Sequence, residues 1–225
     1  MKKIDVKLLA KKLVLFFLGV WIIQTGVAMF IKANIGSDPF TVFTQGISAK
    51  LGVSVGMAST FITATLIIII AIVDWHYLNI GTILSTMVAG PFINMMTTFF
   101  NPLPMDSFVI EFIPYSNIII KSLFLALSCI VIAIGFSLLK STNLGVAAND
   151  IVPLLITDKT KLTYSKIRIT MDVTLIVIGF LLGGVIGIGT LIAAFLTGPA
   201  IQFFMPRLEK LTTPFLSEKN EEIAL

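Results

Sequence analysis

The sequence predicts an all-α membrane protein of about six transmembrane helices, built as two inverted-topology three-helix repeats, with short re-entrant or interfacial helices after spans one and four. Three observations carry that expectation. Of 225 residues, 56% are apolar and 12% charged, and the mean hydropathy is +1.01, a balance that suits lipid rather than a water-soluble domain of this size. Six apolar stretches approach the roughly 20 residues that a helix needs to cross about 30 Å of hydrocarbon. The last three stretches repeat short strings of the first three at a nearly constant shift.

The chain opens on a basic segment, 1–12, followed by an apolar stretch over 13–33. A secretory signal has the same outline. The run from Leu13 to Ile31 is long for one, however, and no small-residue cleavage site closes it, so it is read as the first retained span. The other spans are expected at 54–73, 82–100, 117–139, 166–183 and 190–205. Segments 34–53 and 140–165 each hold a Gly-containing polar turn and then a short apolar stretch. In the first, Asp38-Pro39 is a helix-start pair, a side-chain cap followed by a residue with no amide hydrogen to leave unsatisfied. A helix over 39–50 rises about 18 Å, too little to span. Segment 101–116 carries Asn101, Pro102, Pro104 and Asp106, which stop a helix, and reads as the connector between halves 13–100 and 117–205. The polar tail, 206–225, is expected to be loosely ordered.

Lysine and arginine placement sets the orientation. With the amino terminus inside, the cytoplasmic segments hold 13 of the 16 basic residues, leaving Lys32, Lys50 and Lys121 outside. Both termini are therefore expected in the cytoplasm and the chain in the cell membrane. The net charge of +4 is accounted for by these span-end residues, so no nucleic-acid partner is expected.

The repeat is explicit in the residues. Ile80-Gly81-Thr82 and Gly90-Pro91-Phe92-Ile93-Asn94 return as Ile188-Gly189-Thr190 and Gly198-Pro199-Ala200-Ile201-Gln202 at a shift of 108. Gly26 and Asn34-Ile35-Gly36 return as Gly135 and Asn143-Leu144-Gly145 at a shift of 109. An odd number of spans in each half makes the halves enter the bilayer from opposite sides. Inverted repeats of this kind generate a pseudo-two-fold axis in the membrane plane in secondary transporters, with the site near the midplane. The plainer alternative is a duplication that only builds a stable bundle.

The expected substrate-binding residues are Asn34, Gly36, Asp38, Thr41, Asn94, Asn143, Asn149, Asp150 and Gln202. Those in the two turns and short helices sit where helix starts expose backbone N–H groups to polar ligands, and they serve equally as plain caps. Gly90-Pro91 and Gly198-Pro199 fall mid-span, where proline removes a backbone bond and kinks the helix. Asn94 and Gln202 follow one turn later, either meeting across the pseudo-axis at the site or acting as interhelical hydrogen bonders. Asp172, inside span five, joins Asp38 as a candidate ion-coupling group, although Arg168 four residues earlier is spaced to pair with it. Gln24 in span one is a further polar candidate. Trp75, His76 and Tyr77 read as interfacial anchors.

One cysteine, Cys129, and one histidine, His76, exclude an internal disulfide framework and His-rich or multi-cysteine metal sites. HExxH, Walker and GxSxG strings are absent, so neither an enzyme nor a metal or other cofactor is expected. Asp38-Pro39-Phe40 after a glycine, the Asn-Ile/Leu-Gly turns and the GT…GPxI[N/Q] strings resemble the YczE/YyaS/YitT-like bacterial membrane proteins, especially the YczE-like branch, over about 13–205. Members commonly carry Trp where this chain has Phe40, which keeps the aromatic ring without its N–H. The resemblance implies the fold and a membrane location and assigns no activity. The expected function is a bacterial transporter or permease-like protein for a small polar solute. The alternatives are a substrate-binding subunit of a larger uptake complex and a non-transporting scaffold. Expected partners are the lipid bilayer and the solute, and the sequence leaves room for a homo-oligomer or a partner subunit.

Overall fold

A computed structural model describes residues 6–105 and 116–216. Among the described residues, α-helices run in the order α1 Val6–Ala33, α2 Pro39–Leu51, α3 Val55–Asp74, α4 Ile80–Phe100, α5 Ser116–Ser141, α6 Ala148–Lys159, α7 Tyr164–Leu181 and α8 Ile188–Leu216. A single 3-10 turn, Trp75–Tyr77, extends α3. Most of the connector expected over 101–116 and the end of the tail lie outside the described residues.

Long helices stand at all six expected span positions. Five of them, α1, α3 with its 3-10 extension, α4, α5 and α8, are both long and apolar enough to cross a membrane. The remaining one, α7, has 18 residues and carries Lys166, Arg168 and Asp172, which set it apart. The short helices also form where expected, with 13 residues in α2 and 12 in α6.

Local chemistry explains the short elements. Asp38 is extended at the start of α2, its Oδ1 accepts hydrogen bonds from the Phe40 and Thr41 amides at 3.1 Å each, and Pro39 follows. Gly52, at φ +65°, closes α2 by donating its N–H to the Ser48 carbonyl. Ser54 then caps α3 by accepting from the Met57 amide at 3.2 Å. The turns after α1 and α5 share one shape. Asn34 and Asn143 both take φ +54°, and Gly36 and Gly145 take +110° and +128°.

Close backbone approach, made possible by glycine, organises the packing. The central helices α1 and α5 touch so tightly that a Cβ on Gly19 would lie 3.0 Å from the Gly135 carbonyl oxygen. A Cβ on Gly26 would lie 3.0 Å from that of Ser128. Outside this pair, α4 packs on α1 and α8 on α5. Helix α2 packs on α7, where a Cβ on Gly46 would be 2.4 Å from the Gly179 oxygen, and α6 packs on α3. One apolar core joins Phe16, Val20, Leu139 and Leu144; a second joins Phe30, Leu125 and Cys129, with Ile35 against it. Cross-links tie the turns to the long helices, with the Gly81 amide donating to the Leu144 carbonyl at 2.9 Å and the Gly189 amide to the Ile35 carbonyl at 2.8 Å.

Matching interfaces are not all alike: α2 packs more closely on α7 than α6 does on α3, and the sharpest difference lies at α4 and α8. α3 packs closely on α4, and a Cβ on Gly90 would fall 2.4 Å from the Gly56 oxygen, whereas α7 makes no comparable packing on α8. The other departure concerns 206–216, expected to be loose. Helix α8 runs on through Pro206 and Pro214 to Leu216, with the Thr212 and Thr213 hydroxyls bonding back to its own carbonyls and Lys11 lying 5.1 Å above the Phe215 ring.

Candidate functional site

A cavity of about 540 Å³ lies where helices of both halves converge, within the size range of small-molecule sites. Its charged lining consists of Asp38, Lys140, Asp150 and Arg168, accompanied by a set of hydroxyls and by Gln24. The first-half carboxylate and the second-half ion group thus share one space.

On the first-half side, Asp38 uses one oxygen to cap α2, so the cap and cavity roles fall on the same residue. Thr41, in the first turn of α2, is buried beside it and lines the same space. On the second-half side, Asn149 and Asp150 occupy the first turn of α6 and line the cavity without capping the helix, whose cap position is Ala147. Asp150 Oδ1 accepts from Arg168 Nη1 at 3.2 Å and from Asn149 Nδ2 at 3.4 Å. Arg168 Nε donates to Asp172 Oδ2 at 3.2 Å, the four-residue pair legible in the sequence. Asp172 therefore stands behind Arg168, and the guanidinium bridges two carboxylates.

Other sequence candidates serve the frame. Asn34 and Asn143 are exposed left-handed turn residues, and Gly36 is buried against Thr190. Asn94 accepts the Gly56 amide at 3.1 Å and seals the α3–α4 contact. Its counterpart Gln202 is exposed on α8, and neither amide lines the cavity. Gly90 is buried in the α3–α4 contact beside an exposed Pro91, while Gly198 and Pro199 are exposed and nothing lies within 4 Å of a Cβ built on Gly198.

The hydroxyls of Thr44, Ser59, Thr63, Ser85 and Thr86 were not singled out by the sequence, because serine and threonine in an apolar helix carry no periodic signal. Three of them donate within their own helix, Thr44 to Thr41 at 2.9 Å, Thr63 to Ser59 at 2.8 Å and Ser85 to Thr82 at 3.0 Å. Their free lone pairs remain available as acceptors. Thr86 is buried, lines the cavity and has no hydrogen-bond partner. Among the described residues no cluster of histidine, cysteine or carboxylate side chains is arranged to hold a metal ion. Trp75 and His76 are exposed at the end of α3, where Tyr77 donates to Asp158 of the α6 end.

Comparison with known proteins gives a family but no activity. A family model described as "Family of unknown function (DUF6198)" matches residues 10–206. The chain is 28% identical to the uncharacterized membrane protein YczE of Bacillus subtilis, covering 85% of this chain and 84% of that one. It is 26% identical to the uncharacterized protein YyaS of the same organism, covering 88% and 94%. An uncharacterized protein of Haemophilus influenzae is 25% identical over 84% and 81%. The resemblance to YczE-like and YyaS-like proteins read from the turns and Gly-Pro strings is thereby established. No solved structure matches.

Proposed function

Because the chain belongs to this family of unknown function, DUF6198, its activity has to be read from the site, and we propose that it is a transporter or permease-like protein for a small polar solute, built as two inverted three-helix repeats. Reciprocal contacts support the repeat. Gly19 meets Gly135 and Gly26 meets Ser128, where 135 and 128 are positions 26 and 19 moved by 109. That exchange of partners is what a two-fold axis produces. The same displacement carries Phe16, Val20, Phe30 and Ile35 of the two apolar cores onto Leu125, Cys129, Leu139 and Leu144. It also relates the Gly81–Leu144 and Gly189–Ile35 hydrogen bonds, to within one residue.

The observation that carries transport is the place where this correspondence fails most sharply. In the first half Gly90 is pressed on Gly56 and Asn94 holds the Gly56 amide; in the second half the matching Gly198 faces open space and Gln202 is exposed. A duplicated scaffold would pack both halves alike. Two equivalent interfaces, one shut and one parted beside a polar cavity, are the arrangement that alternating access requires. With both termini in the cytoplasm, the shut contact is the outer gate and the parted α7–α8 pair the inner one. Tyr164 and Arg168 of α7 and Thr197 and Ile201 of α8 line the cavity on either side of that gap.

The test is uptake by vesicles containing the purified protein, across a broad metabolite panel and under proton and sodium gradients. Protein-dependent accumulation of one compound class is expected. Uptake equal to that of empty vesicles throughout would overturn the proposal.

A further inference from the structure

Resting on the reading of this cavity as a solute site, we infer that its ligand is a small organic ammonium ion, held by Asp38. Charge comes first. One guanidinium, Arg168, is shared by Asp150 and Asp172. Lys140, the remaining cation of the lining, is exposed at the end of α5. Among the described residues Asp38 makes hydrogen bonds only within the turn it caps, from the Phe40 amide and from Thr41, and no direct ion pair, although the Arg168 charge reaches it across the cavity. The cavity therefore holds a half-buried carboxylate with no cation in direct contact, and a charge withdrawn from water in this way is costly unless a ligand supplies the partner.

Hydrogen-bond polarity points the same way. Thr44, Thr63 and Ser85 spend their protons on their own helices, so their oxygens offer lone pairs to the cavity. The buried, unpartnered hydroxyl of Thr86 adds another oxygen to this surface. These hydroxyl oxygens and the Asp38 carboxylate offer acceptors to a ligand that carries N–H donors, which a primary ammonium does and a carboxylate anion does not. Size separates an organic cation from a bare ion, since about 540 Å³ far exceeds what one dehydrated sodium ion fills.

The experiment is a thermal-shift and calorimetric titration of the detergent-purified full chain. The probes are ethanolamine, butylamine and putrescine, with the neutral isosteres ethylene glycol and butanol, with acetate, and with sodium chloride alone. At least one amine is expected to stabilise and bind the protein while its isostere and acetate do not. Asp38→Asn, which keeps a capping oxygen, is expected to weaken amine binding about tenfold or more, and Thr86→Val several-fold. A panel in which no amine binds, isosteres that bind as well as amines, a response to sodium chloride alone, or an Asp38→Asn protein that binds amines unchanged would each overturn the inference. Binding is measured without a membrane or gradient. Amine binding without uptake would refute transport and leave the ligand class standing, whereas uptake of a neutral or anionic solute would do the reverse.

Discussion

At the residue scale, two glycines of neighbouring helices, Gly135 on α5 and Gly198 on α8, do opposite work. Gly135 lies where an added Cβ would be 2.7 Å from the Ile23 amide nitrogen, so the backbones of α1 and α5 would have to part. Gly135→Ala is expected to destabilise the protein by about 1–3 kcal/mol, read as a lowered melting temperature in detergent. Gly198 has nothing within 4 Å, and Gly198→Leu is expected to leave the melting temperature unchanged or raise it slightly, since leucine is the better helix former. If α8 must close on α7 during transport, that same variant loses uptake while remaining folded. A melting temperature that falls as far for Gly198→Leu as for Gly135→Ala would contradict the open interface. Asp38 and the Asn-Gly turns were legible in the sequence because capping and left-handed turns are decided within a few residues. The salt bridge between Arg168 and Asp150 was not, because the two are 18 residues apart on separate helices.

At the element scale, apolar length located every long helix to within a few residues, except at the two chain ends. Expected to start at 13 and end at 205, the outer spans run from Val6 and to Leu216. Hydropathy marks where lipid ends, but helix hydrogen bonding continues into the polar flanks, and here Lys11 and Phe215 hold the two extensions together. The Gly-Pro strings were legible as a repeat, yet their unequal surroundings were not. Whether Gly90 or Gly198 is covered depends on how α3 and α7 sit, which no local pattern records. α7 is open on the side that faces α8. It is held by α2 and α6 and hardly by α8, and three charges interrupt its apolar face.

At the scale of the whole molecule, the basic residues predict a single orientation. Alkaline phosphatase fused after Asn101 is expected to be active, as it is only outside the cytoplasm, and the same enzyme fused after Lys161 or Lys210 to be inactive. The reverse pattern would exchange the inner and outer gates and the direction in which the cavity opens. The central claim is that the α7–α8 interface closes as α3–α4 is closed now. Its most direct test is a disulfide between Ser165→Cys and Gln202→Cys in a Cys129→Ala background. These positions match the Gly56 and Asn94 pair that is already in contact in the first half. Under oxidation in membranes, the account predicts cross-linking in a fraction of molecules that changes when a transported solute is added. A folded protein whose two cysteines never cross-link, with or without any solute that it takes up, would contradict it.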